Sequence, residues 1–366
     1  MTWHRHFSPR LLIYIGLGVT LLVLAFVGLQ IYLMSFESQQ TTHRLENETK
    51  AETVITEKPP NKSEELVKNP SQTVFLPLPG ISPPFMFGVG TELDSAINHR
   101  ITKEASVKML TSWYNGPNDL NFMNGWKSSL VPNSYNSGYA LHLIIYSNDV
   151  EQTVDTPYGS ACGRPYPLSP KFLSDVTQLA NIFSGDKLYV SMFTEFQTYP
   201  CDDNNWTNAD KYYKTLQSQY LAAMNIFHQY SPGSQVSLSW GGWQTEWDDP
   251  GKGGGRSLFK HFADVMNASD FQSFQAMSNS NNLAIITEMT KALHPYSGGV
   301  MVSHYKPDNG SQSTFDLDML NIFSPSSMTT LQQNGLFAFS FMDMSNIDST
   351  ETSYQTVKGI VQTYSR

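Results

Sequence analysis

The chain has 366 residues, 40% of them hydrophobic and only 15% charged, which is enough apolar content for a large buried core and rules out a disordered protein. A net charge of −9 argues against a nucleic-acid partner, because binding a phosphate backbone needs clustered Lys and Arg. Two cysteines are too few for a disulfide scaffold, and no Cys/His spacing resembles a structural zinc site.

From Leu11 to Met34 the chain carries no charge. At about 1.5 Å per residue this stretch reaches about 36 Å as a helix, enough to cross a hydrocarbon core of about 30 Å. It is longer than the apolar region of a cleaved signal peptide and ends in Tyr-Leu-Met, so it reads as an uncleaved signal anchor. Arg5 and Arg10 precede it and Glu37 follows, which keeps residues 1–10 in the cytoplasm and places everything after Met34 outside. Residues 35–84 are rich in Glu, Lys, Thr, Asn, Ser and Pro and read as a flexible stalk, stiffened at 76–84 by LPLPGISPP.

A folded domain is expected over residues 85–366, where short apolar runs alternate with amphipathic stretches. Strands are predicted at 85–90, 107–113, 140–146, 187–193, 235–240, 271–277, 299–304 and 336–342, the sixth being interrupted by Gln and Ser. Helical spacing is clearest at 209–230, where Tyr213, Leu216, Tyr220, Ala223 and Phe227 recur every three or four residues behind Asn208 as N-cap. Helices are also predicted at 257–266, 283–293 and 354–364. Eight alternations in this length fit an α/β fold of the (β/α)8 TIM-barrel type, whose usual size is about 250 residues. A doubly wound open sheet is disfavoured, because the first strand ends in Gly88-Val-Gly-Thr-Glu-Leu-Asp94 without a complete phosphate turn.

In such a barrel, functional groups gather at the C-terminal strand ends. Glu92 and Asp94 follow the first strand, Trp113, Tyr114 and Asn115 the second, and Tyr146, Asn148 and Asp149 the third. Thr194, Glu195, Phe196 and Gln197 follow the fourth, and Trp240, Trp243, Trp247 and Asp249 the fifth. His304, Tyr305 and Lys306 close the seventh, and Asp343, Ser345 and Asn346 the eighth. Aromatic faces among amides and carboxylates suit a sugar site, since rings stack on the C–H faces of pyranoses while polar groups bind hydroxyls. Cleaving a glycosidic bond takes two carboxyl groups. Glu195 directly follows the apolar run LYVSMF, which makes it the expected general acid/base; the alternative is an ion pair with a nearby Lys or Arg.

The order of parts resembles the clan-A (β/α)8 glycoside hydrolases, and more narrowly the family 26 mannanase-like enzymes. The resemblance covers roughly residues 85–345. It rests on Trp113-Tyr-Asn at the second strand end, Glu195 in MFTEFQ, and the long helix leading into QVSLSWGGWQ. It implies that Glu195 is the general acid/base. The family's His and Asn around that Glu are replaced by Thr194 and Gln197, and its nucleophilic Glu on the seventh strand by His304. A retaining mechanism is therefore not implied.

A second carboxylate has to come from Asp94, Glu92, Asp249 or Asp343. Asp94 is the first choice, unless it caps a helix starting near Ser95. Trp113, Tyr146, Gln197, Trp240, Trp243, His304 and Tyr305 are the expected substrate contacts, with core packing as the alternative for the tryptophans. Cys162 and Cys201 lie in neighbouring loops and are expected to form a disulfide outside the cytoplasm. The run GKGGGRS at 251–257 lacks a preceding strand and reads as a loop rather than a phosphate site. The expectation is a membrane-anchored, extracytoplasmic hydrolase of a β-linked polysaccharide, requiring no cofactor or metal. Its rival is a glycan-binding barrel without catalysis, serving as a surface adhesin or sensor.

Overall fold

Alternating apolar runs become eight strands in the computed structural model, which describes residues 85–90, 92–201, 206–248 and 257–365. The expected N-terminus 1–10, signal anchor 11–34 and stalk 35–84 lie outside those residues, as do Asp249 and most of the 251–257 loop. Among the described residues no helix is long and apolar enough to cross a membrane. The barrel strands are β1 (Met86–Val89), β2 (Met109–Tyr114), β3 (Ala140–Ile145), β4 (Leu188–Met192), β5 (Ser234–Trp240), β6 (Gln272–Ala276), β7 (Val300–Tyr305) and β8 (Leu336–Phe341). All pair in parallel, and β1 bonds to both β2 and β8, closing the ring. This is the (β/α)8 barrel, with each strand within two residues of its predicted place.

Parallel strands packed under helices are buried on both faces, so parity along each strand decides which side chain enters the lumen. Leu110, Leu141, Leu143, Val190, Val236, Leu238 and Phe339 belong to the large core under the helices. The opposite parity is small and polar. Thr111 Oγ1 lies 3.3 Å from His142 Nδ1 and 2.7 Å from Ser340 Oγ, and His142 Nε2 lies 2.9 Å from Ser191 Oγ. Gly88 makes this bridge between β2 and β8 possible, since a Cβ there would stand 2.9 Å from Ser340 Oγ. Below that polar layer, at the strand starts, Met86, Met109, Ala140, Tyr189, Phe271, Met301 and Ala338 form a separate apolar cluster.

Three helices differ by more than one residue from their predicted bounds, one of them only in starting at Glu351 rather than at residue 354. The long helix runs Trp206–Tyr230, so Asn208 lies inside it and is not its N-cap. The helix predicted at 257–266 is two short ones, Leu258–His261 and Ala263–Ala268, broken at Phe262, whose ring is fully buried beside Trp240. Ser169, Ser311, Ser324 and Thr350 each cap a following helix by accepting a backbone N–H.

Candidate active site

The chain leaves β4 through two left-handed residues, Phe193 (φ 59°) and Glu195 (φ 62°). A non-glycine residue there costs about 1 kcal/mol, and such strain persists only where the surroundings enforce it. The surroundings are Phe193, packed 5.0 Å from Phe172, and the fully buried Phe196 on the other side. With both phenylalanines turned into the core, Glu195 between them stays half-buried at the C-terminal end of the barrel.

Gln275 Nε2 donates to Glu195 Oε1 at 2.7 Å, and Gln275 Oε1 accepts from His304 Nε2 at 2.7 Å. Gln275 thus presents its NH2 to Glu195 and its oxygen to His304. That fixes the proton of His304 on Nε2 and leaves Nδ1 facing Ser303 Oγ at 3.2 Å. The imidazole meets Trp113 edge to face, ring centres 4.7 Å apart. The alternative for Glu195, an ion pair, is absent among the described residues, where its carboxylate is held by Gln275.

A register shift between β6 and β7 builds this arrangement. Phe274 pairs with Val302 but Gln275 with His304, so an extra residue on β7 turns His304 inward beside Gln275. Tyr305 is thereby turned outward; it is buried, and its hydroxyl donates to Asp318 at 2.8 Å. It is a core residue and not the substrate contact expected. Burial drives the imidazoles of His142 and His304 down to about 3, the second also through its neighbour His142, so both are neutral at ordinary pH.

Other expected residues divide between site and scaffold. Trp240 is fully buried, its ring 4.7 Å from both Phe196 and Phe259, because it has the parity of Val236 and Leu238. No sugar can reach it. Gln197 is also structural: its Oε1 accepts from Gly241 N–H at 3.0 Å and its Nε2 donates to Gly241 O at 3.3 Å, which occupies both ends of the amide. Trp243 stays half-buried, its ring laid over Gly241, where a Cβ would come within 2.5 Å of it. A Cβ on Gly242 would stand 2.3 Å from Gln275 O, so the Gly-Gly pair is a close-packing device rather than a loose loop. Trp113 is half-buried, and its indole nitrogen is buried without a hydrogen-bond partner among the described residues. Tyr146 is half-buried, with the Arg164 guanidinium 5.3 Å from its ring centre.

Three of the four carboxylates offered as the second acid lie among the described residues. Asp94 lies in the first turn of the helix Leu93–Asn98, exposed, its Oδ1 accepting the Ser95 N–H at 2.8 Å. Glu92 is exposed just before that helix. Asp343, beyond β8, accepts from Lys306 Nζ at 2.6 Å and from Ser345 N–H at 2.8 Å. Burial opposes its ionisation, yet the bonds from Lys306 and Ser345 hold its carboxyl below the usual aspartate range. Cys162 and Cys201 form the expected disulfide, with Cα atoms 5.5 Å apart, tying the loop after β3 to the loop after β4. Among the described residues no cluster of His, Cys, Asp and Glu could hold a metal ion.

Sequence reading missed Gln275 and His142. The signals were present: Gln272-Ser-Phe-Gln-Ala276 alternates like a barrel strand with a polar lumen face, and one histidine interrupts the apolar run ALHLII.

No protein-family profile matches the chain, and no curated protein matches it. Among solved structures it is similar to a psychrophilic family 10 endo-β-1,4-xylanase, with TM-score 0.49 and 9% identity over 75% of this chain and 96% of that one. A GH53 catalytic domain from Ignisphaera aggregans gives TM-score 0.49 and 10% identity over 74% of this chain and 88% of that one. An exo-β-1,4-mannosidase from Opitutaceae bacterium strain TAV5 gives 0.48 and 8% over 76% of this chain, which spans 60% of that enzyme. Likeness at this level carries no argument about chemistry. The narrower likeness to family 26 rests on the sequence alone.

Proposed function

We propose that the chain is a glycoside hydrolase of a β-linked polysaccharide, with Glu195 as the general acid. One observation carries this reading: a half-exposed carboxyl group at the end of β4, on strained backbone, oriented by a buried Gln–His pair. Structural glutamates have no need of such a support, whereas an acid that must meet one oxygen atom does. Trp113, Tyr146 and Trp243 supply ring surface for a sugar's C–H face.

Asp343 replaces Asp94 as the second carboxylate in this reading. Strands β4 and β8 stand opposite each other in the eight-membered ring, so their ends lie on opposite sides of the mouth. Inversion requires a separation of about 6.5–9.5 Å, with room for a water between. The Glu195 proton passes to the leaving oxygen as the C–O bond breaks, and water attacks the anomeric carbon as Asp343 takes its proton. Lys306 keeps Asp343 ionised and ready to accept that proton. Membrane anchorage through residues 11–34 and an extracytoplasmic location belong to the same proposal; the disulfide supports an oxidising compartment.

The same ion pair favours a second reading, a glycan-binding barrel without catalysis, because a carboxylate tied to Lys306 is a weak base. Release of reducing ends from mannans, glucans, xylans and galactans separates the two. The hydrolase releases them, and Glu195→Gln and Asp343→Asn each lose at least about 100-fold. Equal binding of one polysaccharide by wild type and both variants, without release, establishes the binding protein instead.

A further inference from the structure

The strand starts, at the end of the barrel opposite Glu195, surround a cavity of about 750 Å³. Its size lies in the range of small-ligand sites, about 300–1,000 Å³. Its floor is aromatic: Tyr189, Phe271 and Phe337 meet pairwise with ring centres 5.6, 5.9 and 6.0 Å apart. Met86 and Ala140 complete the apolar wall. Barrels usually fill this layer with branched side chains that pack to the centre. Here the rings close the layer and form the floor of the cavity beneath it.

The rim is charged, and asymmetrically so. Lys108 and Lys187 line the cavity and are exposed, with no ion pair or side-chain hydrogen bond among the described residues. Their carbonyls accept from Ala140 N–H and Leu141 N–H, so they flank the start of β3 on either side. Two strand spacings put them about 10 Å apart, a gap that two lysine side chains can close on one anion. Gly138 lies between them, and no atom of the described residues stands within 4 Å of where its Cβ would be. The one carboxylate in the lining, Asp270, is already engaged, by Val236 N–H at 2.7 Å and His228 Nε2 at 2.8 Å. On a chain of net charge −9, two unpaired lysines over an aromatic floor are a local exception.

We propose that this end of the barrel is a second binding site, for a small aromatic anion whose ring lies against Tyr189, Phe271 and Phe337 and whose acidic group bridges Lys108 and Lys187. The apolar body supplies contact area and the lysines supply selectivity for charge.

The test titrates the full-length protein with the fluorescent anion anilinonaphthalene sulfonate and, in parallel, with uncharged phenylnaphthylamine. The sulfonate is expected to saturate at one molecule per chain. It should weaken about tenfold in the double variant Lys108→Gln/Lys187→Gln. The neutral probe should bind that variant as it binds wild type, which also shows that the variant is folded. Phe337→Ala should weaken both probes, and Glu195→Gln neither. Equal sulfonate affinity in wild type and the lysine variant overturns the anion as ligand. Absence of saturable binding overturns the site. Binding that appears only after Leu76→Ser/Leu78→Ser overturns it as well, by showing that the chain's own proline-rich tract occupies the hollow.

Discussion

At Glu195 the backbone and the side chain are at odds. The residue sits at φ 62°, ψ 27°, a region glycine occupies freely and a glutamate does not. Substitution should expose this conflict. Glu195→Gly is expected to be more stable than Glu195→Ala by about 1 kcal/mol in urea unfolding, the reverse of the usual order, with activity lost in both. An alanine variant at least as stable would show that the position is unstrained. Trp240 teaches the opposite lesson. Trp240→Ala is expected to cost about 3–5 kcal/mol of stability while leaving the polysaccharide affinity of the folded fraction unchanged, because the ring is fully buried against Phe196, Phe259 and Phe262. The proposed site was only half legible in the sequence. Glu195 announces itself by following an apolar strand, but nothing local distinguishes a tryptophan turned to the lumen from one turned to the helices. Trp113 and Trp240 both close strands; only counting parity from the strand interior separates them.

The strands were readable as elements because parallel strands buried on both faces leave apolar runs of definite length. Their lumen faces were less so. The polar residues of β6 look like breaks in an apolar strand until alternate positions are separated, and the bulge that aims His304 inward and Tyr305 outward leaves no mark in the sequence. The polar interior has a thermodynamic consequence. His142 and His304 are fully buried with folded pKa values near 3, against about 6.5 when unfolded. A depressed value means the unfolded chain binds more protons, so this contribution is complete above about pH 6.5 and is lost as pH falls toward 3. With both histidines in that window the slope approaches 2.7 kcal/mol per pH unit, roughly twice that of one group. Urea unfolding between pH 7.5 and 4.5 should show it, and His142→Asn should halve it. Stability that stays level over this range would mean that the imidazoles are not buried neutral.

Across the whole molecule, the barrel separates two ends of different make-up. One end carries Glu195 on loops that the Cys162–Cys201 bridge holds together; the other holds the aromatic hollow. The bridge spans 39 residues, which in the chain-entropy view stabilises the fold by about 4 kcal/mol. Reduction, or Cys162→Ser/Cys201→Ser, is expected to lower the unfolding midpoint by that order; an unchanged midpoint would show that the loops are held by their other contacts. The bridge was legible because both cysteines follow adjacent strands of a ring. Asp343 and Lys306 were legible only as strand-end residues, since their pairing depends on how two loops meet. The central claim is that Glu195 donates a proton to a leaving oxygen. It is tested most directly by comparing Glu195→Gln with wild type on two substrates of one sugar: the polysaccharide, whose leaving group needs that proton, and a dinitrophenyl glycoside, whose leaving group does not. A loss of at least about 100-fold on the polysaccharide with less than about tenfold on the aryl glycoside is the predicted result. Equal losses on both, or no loss on either, would contradict it.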